Sequence, residues 1–173
     1  YEGGLVAAVE FLIQRGHRVI SLLEGPPARV ATAQRLRGYR RALEAHGLTY
    51  RADYVQPGDH LAPPESWVQS TMNLLRLSPR PTAIVTSDDY VAAVVMRTLR
   101  RNGLHVPQDV SVIGFDDQPF CDYLDPRLTS VRAPVLEAGR IAVELLLQRM
   151  GASQRSPEFR LLPCELIIRE SAA

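Results

Sequence analysis

Apolar positions along this chain keep two rhythms in turn. From Gly3 to Arg15, Leu5, Val9 and Leu12 recur at helical spacing with Val6 and Ile13 beside them, giving a helix with one broad apolar face. Val19 to Leu23 is then a short, nearly continuous apolar run of the kind a buried strand shows, and Glu24-Gly25-Pro26-Pro27 closes it because proline cannot extend a strand ladder. The pairing repeats. A helix over Ala28 to Ala45 precedes a weak strand at Asp53 to Val55, and a helix over Glu65 to Leu77, with Val68, Met72 and Leu75 in step, precedes a strand at Thr82 to Thr86. A helix over Tyr90 to Arg101 precedes the most compact run, in which Val110, Val112, Ile113 and Phe115 end abruptly on Asp116 and Asp117. Leu128 to Val131 is a further extended run. Val135 to Met150 is a helix in which Gly139 would permit a close approach, and Pro163 to Arg169 is a last strand.

Such alternation predicts an α/β fold, a parallel sheet flanked by helices. Punctuation supports it. Arg15-Gly16-His17, His46-Gly47-Leu48 and Asn102-Gly103-Leu104 each place a glycine where a helix would stop and the chain turn towards a strand. Trp67, at a helix start beside the proline-rich loop Gln56 to Pro64, is expected to pack in the core or at its rim.

Composition narrows the function classes. At 173 residues, 46% hydrophobic and 23% charged, the chain can bury one good core. All 20 basic residues are arginine, yet the formal net charge is only +1, too small for general attraction to nucleic acid or an anionic membrane. Cys121 and Cys164 stand apart with no C-x-x-C or histidine cluster, which argues against a zinc site or a disulfide framework. No apolar run approaches the roughly 20 residues that span a bilayer. The chain opens on Tyr1 inside a helical pattern, so a piece of a longer protein is expected.

Chemistry gathers at strand ends. Glu24-Gly25, Ser87-Asp88 and Asp116-Asp117 each follow a strand, and in open parallel sheets ligands bind beyond the carboxyl ends. Ser87 or Asp88 can cap the next helix, with Asp88 and Asp89 at the positive end of its dipole. Arg35, on the helix leaving the first of those ends, could bring a fork of donors to the same cleft, a pairing suited to a ligand rich in hydroxyls or bearing a carboxylate. The aspartates could in principle ligate magnesium, but no phosphate loop and no lysine is present to hold a phosphate. No G-x-S-x-G, H-E-x-x-H or G-x-G-x-x-G occurs, so the constellation is expected to bind rather than to catalyse, with no cofactor.

The string Val106-Pro107-Gln108-Asp109-Val110-Ser111-Val112-Ile113-Gly114-Phe115-Asp116-Asp117 resembles the effector-binding domain of the lac repressor and galactose repressor (LacI/GalR) family of bacterial transcription regulators. Shorter matches agree, among them Arg15 to Ile20, Arg35 with Gly38-Tyr39, Pro81 to Ile84 leading to Ser87-Asp88, and Pro126 to Val131. The resemblance implies a periplasmic-binding-protein-like fold (type I), bilobal in the intact protein, with a sugar-like small molecule between the lobes. Residues 1–16 would be a helix of the first lobe, 17–133 the second, effector-binding lobe, 134–151 a helix returning to the first, and 152–173 a linker and the last strand of the second. It further implies operator DNA binding through a headpiece outside this chain, a homodimer and a cytoplasmic location. Helix Tyr90 to Arg101 and loop Gln118 to Pro126 resemble the family's subunit-pairing segments. By the same resemblance Arg35, His60, Ser87 and Asp116 contact the effector, Ser87 standing where the family usually has asparagine. The alternative is a periplasmic sugar-binding protein of an ABC transporter.

Overall fold

In a computed structural model of the chain, which describes residues 1–26, 28–58, 63–150 and 158–173, the described strands form one sheet. These are β1 (Ile20–Glu24), β2 (Val55–Pro57), β3 (Ala83–Thr86), β4 (Ser111–Phe115), β5 (Thr129–Arg132) and β6 (Glu165–Ile167), in the spatial order β2-β1-β3-β4-β5-β6. Every pairing is parallel except β5 with β6. The expected α/β architecture is thus borne out. The weak strand expected at Asp53 is displaced: Ala52–Tyr54 is a single 3-10 turn and pairing begins at Val55, on an edge strand where Pro57 is tolerated.

Side chains of the buried strands alternate between two cores, as the two-residue period of a strand requires. Ile20, Leu22, Ala83, Val85, Ile113 and Phe115 enter one core with helices α1 (Glu2–Gln14) and α2 (Val30–Ala45). Leu23, Ile84 and Val112 enter the other with α3 (Glu65–Leu75) and α4 (Asp89–Arg101). Three helices stop as their glycines predict: Gly16, Gly47 and Gly103 take positive φ, and His17, Leu48 and Leu104 each donate back to the carbonyl five residues earlier.

The face of α3 differs from the expected one. Trp67, Thr71 and Leu74 are buried, whereas Val68 is exposed and Met72 and Leu75 only half-buried, because the indole sets the helix rotation by lying against Gly58. Trp67 is accordingly core.

Helix α1 requires a correction. Leu5, Ala8, Val9 and Leu12 are fully buried in the same core as β1, β3 and β4, so the apolar face expected to serve another lobe finds its partner in this chain. Gly38 lets α1 and α2 cross closely, since a Cβ there would lie 2.3 Å from the Glu2 carbonyl oxygen. Residues 1–16 therefore pack with the sheet of 17–133. Helix α5 (Val135–Met150) behaves in the opposite way: none of its residues is buried, and among the described residues nothing lies within 4 Å of a Cβ built on Gly139. No helix among the described residues is long and apolar enough to cross a membrane.

Candidate functional site

The chain leaves β1 to form β2 on one side and returns to form β3 on the other, so the order reverses between β1 and β3. Loops diverge at such a switch point and open a crevice beyond the carboxyl ends of the strands. Glu24 closes β1, Ser87 and Asp88 follow β3, and Asp116 and Asp117 follow β4.

Arg35 reaches this edge from α2. Its Nε and Nη2 donate to the two carboxylate oxygens of Glu24, each at 2.8 Å, while Glu24 also accepts the Gly25 amide at 2.8 Å. The guanidinium carbon lies 5.3 Å from the Phe115 ring centre and 5.5 Å from that of Tyr1, close enough for cation-π attraction. Burial on its own would weaken the cation. The Glu24 bonds and the charges of Glu24, Asp116 and Asp88 outweigh it, and the net shift raises the arginine pKa. Arg35 is therefore a fixed cation, two of its five N–H donors committed to Glu24.

Beside it the backbone turns sharply. Asp116 and Asp117 both have positive φ, 99° and 53°, conformations an aspartate tolerates better than a bulky residue but which need support from outside. Support is abundant. The Asp116 amide donates to the Val131 carbonyl at 2.8 Å and the Asp117 amide to Ser130 Oγ at 3.1 Å. The Asp117 carboxylate lies between Arg132, at 2.7 Å, and Arg169, at 2.8 Å, and Arg169 also binds Asp122 and the Leu128 carbonyl. Successive residues thus divide the work: Asp116 acts electrostatically on Arg35, and Asp117 ties the corner to β5 and the C-terminal segment.

The two neighbouring aspartates before α4 separate in the same way. Asp88 caps the helix, its Oδ1 accepting the Val91 amide at 2.8 Å. Asp89 is instead turned inward and fully buried, where it accepts Ser130 Oγ at 2.5 Å and the Gln118 amide at 2.7 Å. Desolvation lifts its pKa to about 6 against the pull of those bonds.

Of the residues singled out from sequence, Arg35 and Asp116 come together, with Asp88 contributing to the same field. Ser87 lies buried just past β3, its Oγ 3.5 Å from Asp88 Oδ2. His60 lies outside the described residues. Sequence reasoning marked Glu24 only as a strand end, and Asp89 as a dipole partner and a conceivable magnesium ligand. A glutamate closing one strand and an arginine in the following helix was a detectable signal for the first; nothing local marks Asp89 as buried.

With the geometry in place, comparison with known proteins agrees with the topology. Residues 9–172 match the family model described as a periplasmic binding protein-like domain. The chain is 36% identical to the HTH-type transcriptional regulator CelR of Thermobifida fusca, over 98% of the chain and 49% of the relative. It is 37% identical to the HTH-type transcriptional repressor CytR of Escherichia coli, over 95% and 48%. Among solved structures, a transcriptional regulator CelR-cellobiose complex superposes with a TM-score of 0.91 at 36% identity, covering 99% of this chain and 52% of that one. This chain belongs to the LacI family of transcriptional regulators and covers part of their periplasmic-binding-protein-like effector domain. These relatives are regulators rather than enzymes, and the chain spans about half their length.

Proposed function

We propose that this chain is the greater part of the sensing half of a bacterial transcription regulator, in which a sugar-like effector is held at the carboxyl rim of the sheet by Arg35 and Asp116, with Ser87 and His60 contributing. The observation that carries this is the immobilised guanidinium: clamped on Glu24 and flanked by Phe115, it lies in the field of the Asp116 and Asp88 charges at the switch point. A preorganised donor fork opposite carboxylates suits a polyhydroxylated ligand, each charge-assisted bond contributing about 1.5 to 3 kcal/mol. Solution of the 36% identical relative with cellobiose favours the sugar class.

The rest of the protein would supply the other lobe, on which the exposed apolar residues of α5 would pack, and a headpiece that reads operator DNA. Effector binding would favour one angle between lobes, a coupling of about 1 to 3 kcal/mol, and so alter the spacing of two headpieces in a cytoplasmic homodimer. In the full-length protein, Asp116→Ala and Arg35→Lys are expected to abolish the thermal shift given by sugars and the response of operator binding, while affinity for operator without effector is kept. A response surviving both substitutions rejects the assignment.

A further inference from the structure

Asp89 is a fully buried acid behind the proposed ligand rim, close enough to Asp116 to feel its charge. It is nevertheless built around with care: a Cβ on Gly114 would lie 2.2 Å from its Oδ1, so β4 must carry glycine for the carboxylate to fit. Its two oxygens receive the Ser130 hydroxyl and the Gln118 amide, and Ser130 Oγ in turn receives the Asp117 amide. The path Asp89, Ser130, Asp117 therefore reaches the backbone next to Asp116 from inside, and Gln118 closes the loop from the other end.

We infer that Asp89 is the positioning residue of the effector site, holding the positive-φ corner at Asp116 and Asp117 so that the Asp116 carboxylate is presented towards Arg35. The inference deepens the function proposed above and relies on it only for the use to which Asp116 is put. Ionised, the carboxylate offers acceptors to the Ser130 hydroxyl, the Gln118 amide and the Cys121 thiol; protonated, one oxygen becomes a donor among groups that already donate, and the brace weakens. The titratable groups facing it are Asp116 at the end of β4 and the Cys121 thiol, itself pushed up to about 12 by burial and by Asp89, with Asp117 and Arg169 acting on that thiol. A charge kept where desolvation opposes it is a cost to folding that orientation of a binding group explains.

The test is amide hydrogen exchange in the full-length protein, read residue by residue and needing no ligand. In the wild type the Asp117 and Gln118 amides are expected to be protected at pH 7.5, and Asp89→Asn to speed their exchange about tenfold or more relative to amides of β1. Ser130→Ala, which leaves Asp89 in place, should speed Asp117 alone. After correction for intrinsic exchange, wild-type protection at these two amides should fall as pH drops through about 6 while Asp89→Asn stays flat. Unchanged exchange in both variants, or a rise spread evenly over the sheet, overturns the inference. No sugar-induced thermal shift in the wild-type protein, or a shift that survives both Asp116→Ala and Arg35→Lys, would instead reject the ligand reading and leave the exchange result standing.

Discussion

Arg35 and Glu24 form a two-bond ion pair that is almost wholly withdrawn from water, with 10% and 3% of their side chains exposed. Such a pair orients its members more than it stabilises the fold, because desolvation consumes most of the attraction.

Removing one partner leaves the other as an uncompensated buried charge. Glu24→Ala is therefore expected to cost about 3 to 5 kcal/mol in urea unfolding, and the double replacement Glu24→Leu with Arg35→Met to cost less than Glu24→Ala alone. A double replacement at least as damaging as the single would show that the pair stabilises the fold outright.

The pairs around Asp117 should rank by burial. Arg169 is 11% exposed and binds two carboxylates and a carbonyl, whereas Arg132 is half exposed. Arg169→Ala should lower stability by about 2 to 4 kcal/mol and Arg132→Ala by less than about 1, measured by chemical denaturation. Equal losses would contradict this ranking.

Gly114→Ala places a methyl group against Asp89 Oδ1 at 2.2 Å and Leu128 at 3.0 Å. Both neighbours are fully buried and cannot swing away, so a loss of about 1 to 3 kcal/mol or more is expected in thermal unfolding. In the 173-residue chain Gly139→Ala on α5 meets nothing among the described residues and should be neutral or slightly stabilising.

Asp89 also predicts a pH dependence. Its folded pKa, about 6, lies above the ordinary value of 3.8, so between those values the folded state binds more protons than the unfolded one. Stability from this group is therefore present at low pH, declines as pH rises from about 4 to about 6, and is constant above that. The Asp89→Asn protein should lack this decline when the two are compared by denaturation at pH 4.5 and pH 7.

Exposed apolar residues on α5 give a contrast between chain lengths. Val143, Leu146, Leu147 and Met150 are each more than half exposed. Leu146→Glu should change the stability of the 173-residue chain by less than about 0.5 kcal/mol, while in the full-length protein a helix packed on a second lobe would make it cost about 2 kcal/mol or more. Equal effects in both would reject that placement of α5.

Local rules sufficed for much of this protein. Period-2 and period-3.6 patterns located the elements, and the glycines at 16, 47 and 103 stopped their helices as written, because a positive-φ stop depends on a few adjacent residues. Carboxylates at strand ends and an arginine one helix away were legible too, since a parallel sheet brings all its carboxyl ends to one edge. What only tertiary structure decided is which of several like groups does which work. Asp88 caps while Asp89 is buried, Asp116 acts on Arg35 through its charge while Asp117 binds two arginines, and α1 is covered while α5 is not. Those choices depend on partners far off in the chain, among them Glu24 for Arg35, Ser130 for Asp89, Arg169 for Asp117 and the sheet for α1, and no pattern of neighbouring residues records them.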